Sequence, residues 1–394
     1  MNSAAHTIDI PTTRAGTAGL VALLHTGFVL TGVVTTMLGP MLPALSLRWG
    51  LNDARAGDLF TAQFSGSTLG VMGSSFLMAR RAHRTSLLLG LGLMALGSVA
   101  LLATSWAWGM IATLTFGIGL GLAIPTTNLL VSELNPETRA SALSLVNFSW
   151  TVGAAACPFF VSALLRMNRS FHLLYGVAAM LVLVAMCLTR VSFPDIGTAS
   201  EDVVKAIPTG WWRTRWAPIL GALFFLYVGT EAAVGGWTAT YAERMSTGPS
   251  TKWVLMPSFF WVALLLGRAT APLFLRAVGE LRLAQYGLSL STIGVGVLLA
   301  ARKLSVIAVG VSLAGLGLSS VFPIAIATLP RKFGANASRI AGVMFALAGV
   351  GGATLPWLIG YLSTVWGNLK YGLVVPLFGC IVMLTLNVVL AEAE

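Results

Sequence analysis

Twelve runs of predominantly apolar residues, each 18–29 long, follow one another along the chain with little between them. They cover 17–45, 56–79, 86–104, 107–132, 140–165, 170–190, 217–243, 252–275, 283–300, 305–329, 338–363 and 369–391. About 20 apolar residues in helical form cross the hydrocarbon core of a bilayer. A backbone facing lipid must satisfy its own hydrogen bonds, which leaves the helix as the form for each run. The reading is an all-α membrane protein with 12 transmembrane helices, here spans 1–12. Charge supports it: only 9% of the 394 residues are Asp, Glu, Lys or Arg, against roughly 25% in soluble domains. That scarcity excludes both a disordered chain and an ordinary water-soluble enzyme.

The formal net charge of +11 sits mostly in the short gaps, where Lys and Arg act as topology signals and meet anionic headgroups. Nucleic acid is not an expected partner. With the N-terminus inside, fifteen basic residues fall on the cytoplasmic side, counting Arg268 at the inner end of span 8, and nine fall outside. Both termini are therefore expected in the cytoplasm, in the inner (cytoplasmic) membrane. Residues 1–16 are polar and the run after them is too long for a signal peptide, so span 1 is expected to remain. Cys157, Cys187 and Cys380 lie far apart inside apolar runs, and the four histidines show no ligand spacing. Neither a disulfide, a metal nor a cofactor is expected.

One gap differs. Residues 191–216 hold Pro194, Asp195, Glu201, Asp202, Lys205 and Pro208 and divide the spans six and six. Gly119-Leu120-Gly121-Leu122 of span 4 recurs as Gly315-Leu316-Gly317-Leu318 of span 10. Pro125, Gly153 and Pro158 recur as Pro323, Gly351 and Pro356, each 198 residues later. This reads as an internal duplication: an N-terminal six-helix bundle at 1–190, a cytoplasmic linker at 191–216 and a C-terminal bundle at 217–394.

Two six-helix halves around a basic middle loop resemble the major facilitator superfamily over essentially the whole chain. The local stretches that carry the resemblance are Arg80-Arg81-Ala82-His83-Arg84 between spans 2 and 3, Gly267-Arg268 with Arg276 around span 8, and Asn135-Pro136-Glu137-Thr138-Arg139 entering span 5. Three others resemble its fucose-permease-like and glucose-carrier-like branches. They are Phe60-Thr61-Ala62-Gln63-Phe64, Asn147-Phe148-Ser149-Trp150, and Tyr227-Val228-Gly229-Thr230-Glu231 through Gly235-Gly236-Trp237. The chain departs from that pattern where the family sets an acid before the 2–3 basic cluster; Met78-Ala79 stand there. Met37 and Pro125 occupy the places of the fucose permeases' carboxylates in spans 1 and 4.

A carrier needs polar side chains near the bilayer midplane, and a charge there costs ~2.5–3.5 kcal/mol even on lenient scales. Of thirteen acids Glu231 alone lies mid-span, fourteen residues into span 7. It reads as a substrate hydrogen-bonder, a proton- or sodium-coupling site, or a structural acid tied to a neighbouring helix. Tyr227 shares its face, and Gly235-Gly236 reads either as a place where the helix unwinds or as a packing notch. Gln63, Asn128 and Asn147 offer amide donors and acceptors to hydroxyls. Trp150, Trp237, Trp261 and Trp357 are deep enough to stack on a sugar, with ordinary packing as the alternative; His25 reads as a packing residue before a proton relay. Arg80, Arg81, Arg84 and Arg276, with Glu133 and Glu280 as partners, are placed to close the cytoplasmic side or simply to set topology.

No phosphate loop, nucleophile pair or zinc helix is present, so enzyme chemistry and ATP-driven pumping are not expected. Amides and indoles around one acid, with no cation expected at the midplane, point to a secondary carrier for a small neutral sugar, hexose-like. It would move by rocker-switch alternating access as a monomer. A multidrug or lipophilic-cation exporter of the same superfamily is the alternative.

Overall fold

The computed structural model describes residues 14–169, 171–193, 210–246 and 250–392. Most of the expected middle loop, 194–209 with Asp195, Glu201, Asp202 and Lys205, lies outside them. The described helices are α1 (Arg14–Thr36), α2 (Leu38–Trp49), α3 (Asp53–Ala79), α4 (His83–Ala100), α5 (Trp106–Leu134), α6 (Arg139–Arg166) and α7 (His172–Arg190). After the loop come α8 (Trp216–Met245), α9 (Met256–Val278), α10 (Glu280–Ala300), α11 (Leu304–Leu318), α12 (Val321–Phe333), α13 (Ala337–Trp366), α14 (Leu369–Gly372) and α15 (Val374–Glu392). They make twelve passages, because α1 with α2, α11 with α12 and α14 with α15 each continue one another. Among the described residues ten passages are long and apolar enough to cross a membrane. The other two are α3, studded with Ser, Thr, Gly and Gln, and the 18-residue α4.

The breaks have local causes. Pro40 has no N–H for the Thr36 carbonyl, and the helix turns at Met37. Pro323 likewise withholds a donor from Ser319, and α11 passes to α12 through Ser319-Ser320. Turns between passages are tight: Asn52 caps α3 by accepting from the Arg55 amide at 2.9 Å, and Gly50 closes α2 at φ 61°. Of the two readings of Gly235-Gly236, the unwinding does not occur. There α8 runs unbroken for 30 residues, and the pair is the packing notch. A Cβ on Gly39 of α2 would come within 2.9 and 3.0 Å of their carbonyl oxygens.

Helix neighbours repeat between the halves. In the first, α1 packs on α6, α3 and α4 on α5, and α4 on α7; in the second, α8 packs on α13, α9 and α10 on α11, and α10 on α15. The two bundles meet where α3 crosses α13, α6 crosses α9 and α2 crosses α8. Glycine contacts sharpen the repeat. A Cβ on Gly117 would overlap the Gln63 backbone and one on Gly315 the Phe260 backbone; Gly119 abuts Gly90 as Gly317 abuts Gly287. The equivalent of Gly315 is thus Gly117, at an offset of 198, and the Gly119/Gly315 match seen in the sequence is two residues out of register. Gly153 against Val29 and Gly351 against Phe225 complete the set.

Alternation of direction gives the molecule an end carrying Asp53 and an end carrying Arg80. Several bonds between the halves lie toward the first. They are Asp53 with Arg244, Asp53 with Ser363, the Ala54 amide with Thr364, and Ser258 with the Ala155 carbonyl at 2.9 Å.

Candidate functional site

A cavity of about 170 Å³ lies between the halves at mid-depth. It is flanked by Thr35 and Thr36 next to the Met37 break, Phe60, Gln63 and Phe64 of α3, Trp150 of α6, Glu231 with Gly235-Gly236 of α8, and Trp261 of α9. Every flanking helix is one of the six that cross between halves or abut such a crossing. Four of the residues singled out in the sequence therefore meet: Gln63, Trp150, Glu231 and Trp261.

Gln63 is only 3% exposed. Its Nε2 donates to the Thr35 carbonyl at 2.9 Å, while Oε1 is buried without a partner beside the cavity. Such an acceptor costs free energy until a donor reaches it. Trp150 and Trp261 come from different halves and meet edge to face, centroids 5.7 Å apart at 81°. Glu231 is the sixteenth of thirty residues in α8. Its Oε1 accepts from the Tyr227 hydroxyl at 3.4 Å and from Arg268 Nη2 at 3.4 Å, and Arg268 also reaches the Tyr227 oxygen at 3.3 Å.

Arg268 corrects the sequence reading. It was counted with the inner topology charges, yet it is the thirteenth of 23 residues in α9 and partly buried against Glu231. The midplane does hold a cation, and it is matched by the acid. A charge thirteen residues into an apolar helix was the available sign. The flanking Thr35 and Thr36 went unnoticed because they look like any other span residues.

The remaining candidates sit elsewhere. Tyr227 stands behind Glu231 and stacks on Phe322 at 5.0 Å. Trp237 is fully buried, its Nε1 donating to the Pro356 carbonyl at 2.8 Å. Trp357 stacks on Tyr361 at 5.4 Å, toward the Asp53 end. Asn147 donates to Asn128 Oδ1 at 3.1 Å and to the Leu143 carbonyl, joining α5 and α6 below the cavity. His25 bonds Ser149 at 2.8 Å.

At the Arg80 end, Arg80 lies over the Phe76 ring at 4.1 Å and Arg84 donates to the Thr189 carbonyl. Arg81 takes a positive φ of 57° where the chain turns into α4, and Arg276 falls in the last turn of α9. The acids expected as their partners are engaged otherwise: Glu133 with Arg139 at 3.3 Å and Glu280 with Arg331. Both pairs stay within one half.

Twelve helical passages in two pseudo-symmetric bundles, with a largely apolar cavity holding a few polar groups where the bundles cross, define a helical carrier fold. Residues 24–333 match the Major Facilitator Superfamily, and the chain belongs to that family of transporters. It is 22% identical over 353 residues to a glucose/mannose transporter of Bacillus subtilis, covering 85% of each chain. It is 34% identical over 165 residues to a 4-hydroxybenzoate transporter of Pseudomonas aeruginosa, or 41% of this chain and 37% of that one. Among solved structures, a D-xylose-proton symporter superposes with a TM-score of 0.76 at 15% identity, over 94% of this chain and 96% of that one. The E. coli fucose:proton symporter gives 0.63 at 19% identity, over 94% and 98%.

Proposed function

We propose that the protein carries a small neutral sugar, hexose-like, across the cytoplasmic membrane by rocking its two halves about the central cavity. The observation that carries this reading is the charge balance of the cavity wall. Arg268, behind the lining, pairs with Glu231 of the wall, so the acid there is charge-compensated. Beside the cavity lie the Gln63 amide, whose buried oxygen has no donor, and two indoles, with Phe60 and Phe64 completing the wall; amide and indole suit the hydroxyls and the C–H face of a pyranose. Similarity to a glucose/mannose transporter and to two sugar symporters leans the same way.

Glu231 is the residue through which a proton or sodium gradient would act. Neutralising it would release Arg268 and Tyr227, and a gradient does work only if the two carrier shapes bind the ion differently. With Arg268 removed from the topology count, fourteen basic residues against nine still favour the Arg80 end as cytoplasmic. Arg80, Arg81, Arg84 and Arg276, with Glu133 and Glu280, would then close that end in the opposite shape.

A second reading rests on Arg268. A guanidinium beside the cavity suits a carboxylate, and part of the chain resembles a 4-hydroxybenzoate transporter. The lipophilic-cation alternative is weakened by the same guanidinium. Thermal shifts in detergent with hexoses, 4-hydroxybenzoate and tetraphenylphosphonium separate the three. A ligand at 100 times its Kd adds about 2.7 kcal/mol. Stabilisation by a hexose, lost in Gln63→Ala and Trp150→Ala, is the expected result. Stabilisation by the carboxylate alone, or by the cation alone, replaces the sugar reading with the corresponding other.

A further inference from the structure

At the Asp53 end three helices from two halves converge on one carboxylate. Asp53, the first residue of α3, accepts from Arg244 Nη1 at 2.8 Å and Nη2 at 2.5 Å, and from the Ser363 hydroxyl of α13. One residue further, the Ala54 amide donates to Thr364 Oγ1 at 2.8 Å. The Asp53 side chain is 13% exposed and that of Arg244 45%. A two-pronged guanidinium–carboxylate contact fixes direction as well as distance.

The internal repeat supplies a comparison within the same molecule. At an offset of 198, Asp53 corresponds to Thr251, and Ser363-Thr364 to Leu165-Arg166. The contact there is one neutral-acceptor bond, Arg166 Nε to Thr251 Oγ1 at 3.4 Å. Among the described residues the charged fastening is on one arm.

We infer that Asp53, Arg244 and Ser363 form a latch that holds this end shut, and that its release moves the carrier toward the shape open there. The inference concerns the shape of the protein and holds for any solute. An acid in the first turn of a helix also steadies that helix through its dipole, and Asn52 already caps α3. A helix-start role and a latch role differ in one respect: only the latch can be rebuilt with the charges exchanged.

The test uses the full-length protein in lipid nanodiscs with Cys187 replaced by Ser. Spin labels are placed on cysteines at Leu47 and Val365, which are 87% and 57% exposed on opposite halves at this end. Electron–electron double resonance then reads the distance distribution. Asp53→Asn and Arg244→Gln should each shift the ratio of long to short distances by about five- to thirtyfold, the factor that 1–2 kcal/mol gives. Asp53→Arg combined with Arg244→Asp should return it toward the parent. Single variants that elute as folded protein with the parent distribution would overturn the latch. So would an exchanged pair that stays as open as the singles.

Discussion

Removing one partner of the Arg268–Glu231 pair should destabilise the carrier more than removing both. The two atoms closest to one another are 3.4 Å apart, on side chains 28% and 14% exposed. At an effective dielectric near 20, Coulomb's law gives about 5 kcal/mol of gross attraction at that separation. Desolvation of both ions cancels much of it, so the net worth of the pair is small, while an orphaned buried charge costs roughly 3–5 kcal/mol. Arg268→Gln leaves Glu231 with only the long bond from Tyr227. Glu231→Gln leaves a guanidinium whose Nε is already buried without a partner. The double variant leaves two neutral amides able to bond each other. The assay is a double-mutant cycle on thermal unfolding in one detergent, with the coupling term read from the four midpoints. Single variants each several degrees below the double would bear out the argument. A double variant no more stable than the worse single would refute it, and would mean that the two groups are held by something other than each other.

Three further outcomes follow from the packing. Gly39→Ala should destabilise by about 1–3 kcal/mol, as overpacking does, because a Cβ there meets the Gly235 and Gly236 carbonyls; reduced detergent half-life would register it. Gly153→Ala and Gly351→Ala should fail to a similar degree, since each side chain would enter a neighbouring backbone; yields of monodisperse protein compare them, and a benign result in one alone would break the equivalence. Ser258→Ala removes the bond to the Ala155 carbonyl across α6 and α9, costing roughly 0.5–1.5 kcal/mol and shifting the same spin-label distances in the direction of Asp53→Asn.

Much of this was legible in the sequence because lipid leaves few options. Apolar run length located the passages, and recurrent prolines and glycines revealed the duplication. Four cavity residues were found because amides, indoles and a lone acid are conspicuous in apolar surroundings. What escaped depends on distances between helices. Arg268 looked like a topology charge until α9 was seen to carry it beside Glu231. Asp53 was not singled out, being one of the twelve acids away from mid-span, and its contact with Arg244, 191 residues away, appears only in the fold. The Gly-Gly pair offered either a break or a notch, and only the crossing of α2 over α8 decides between them. The break itself went to Met37, set by a proline three residues on.

The glycine seams inside each half have a mechanical consequence. Where Gly117 and Gly119 lie against α3 and α4, and Gly315 and Gly317 against α9 and α10, backbone touches backbone with no side chain between. Such a joint has nothing soft to compress, so each bundle should behave as a stiff lever, and relative travel must be taken up where α3 meets α13, α6 meets α9 and α2 meets α8. Points near the fulcrum of a lever move least. Gln63, Trp150, Glu231 and Trp261 lie at mid-length, so a solute held there could change the side it is open to while its own contacts shift by only a fraction of the distance swept at either end.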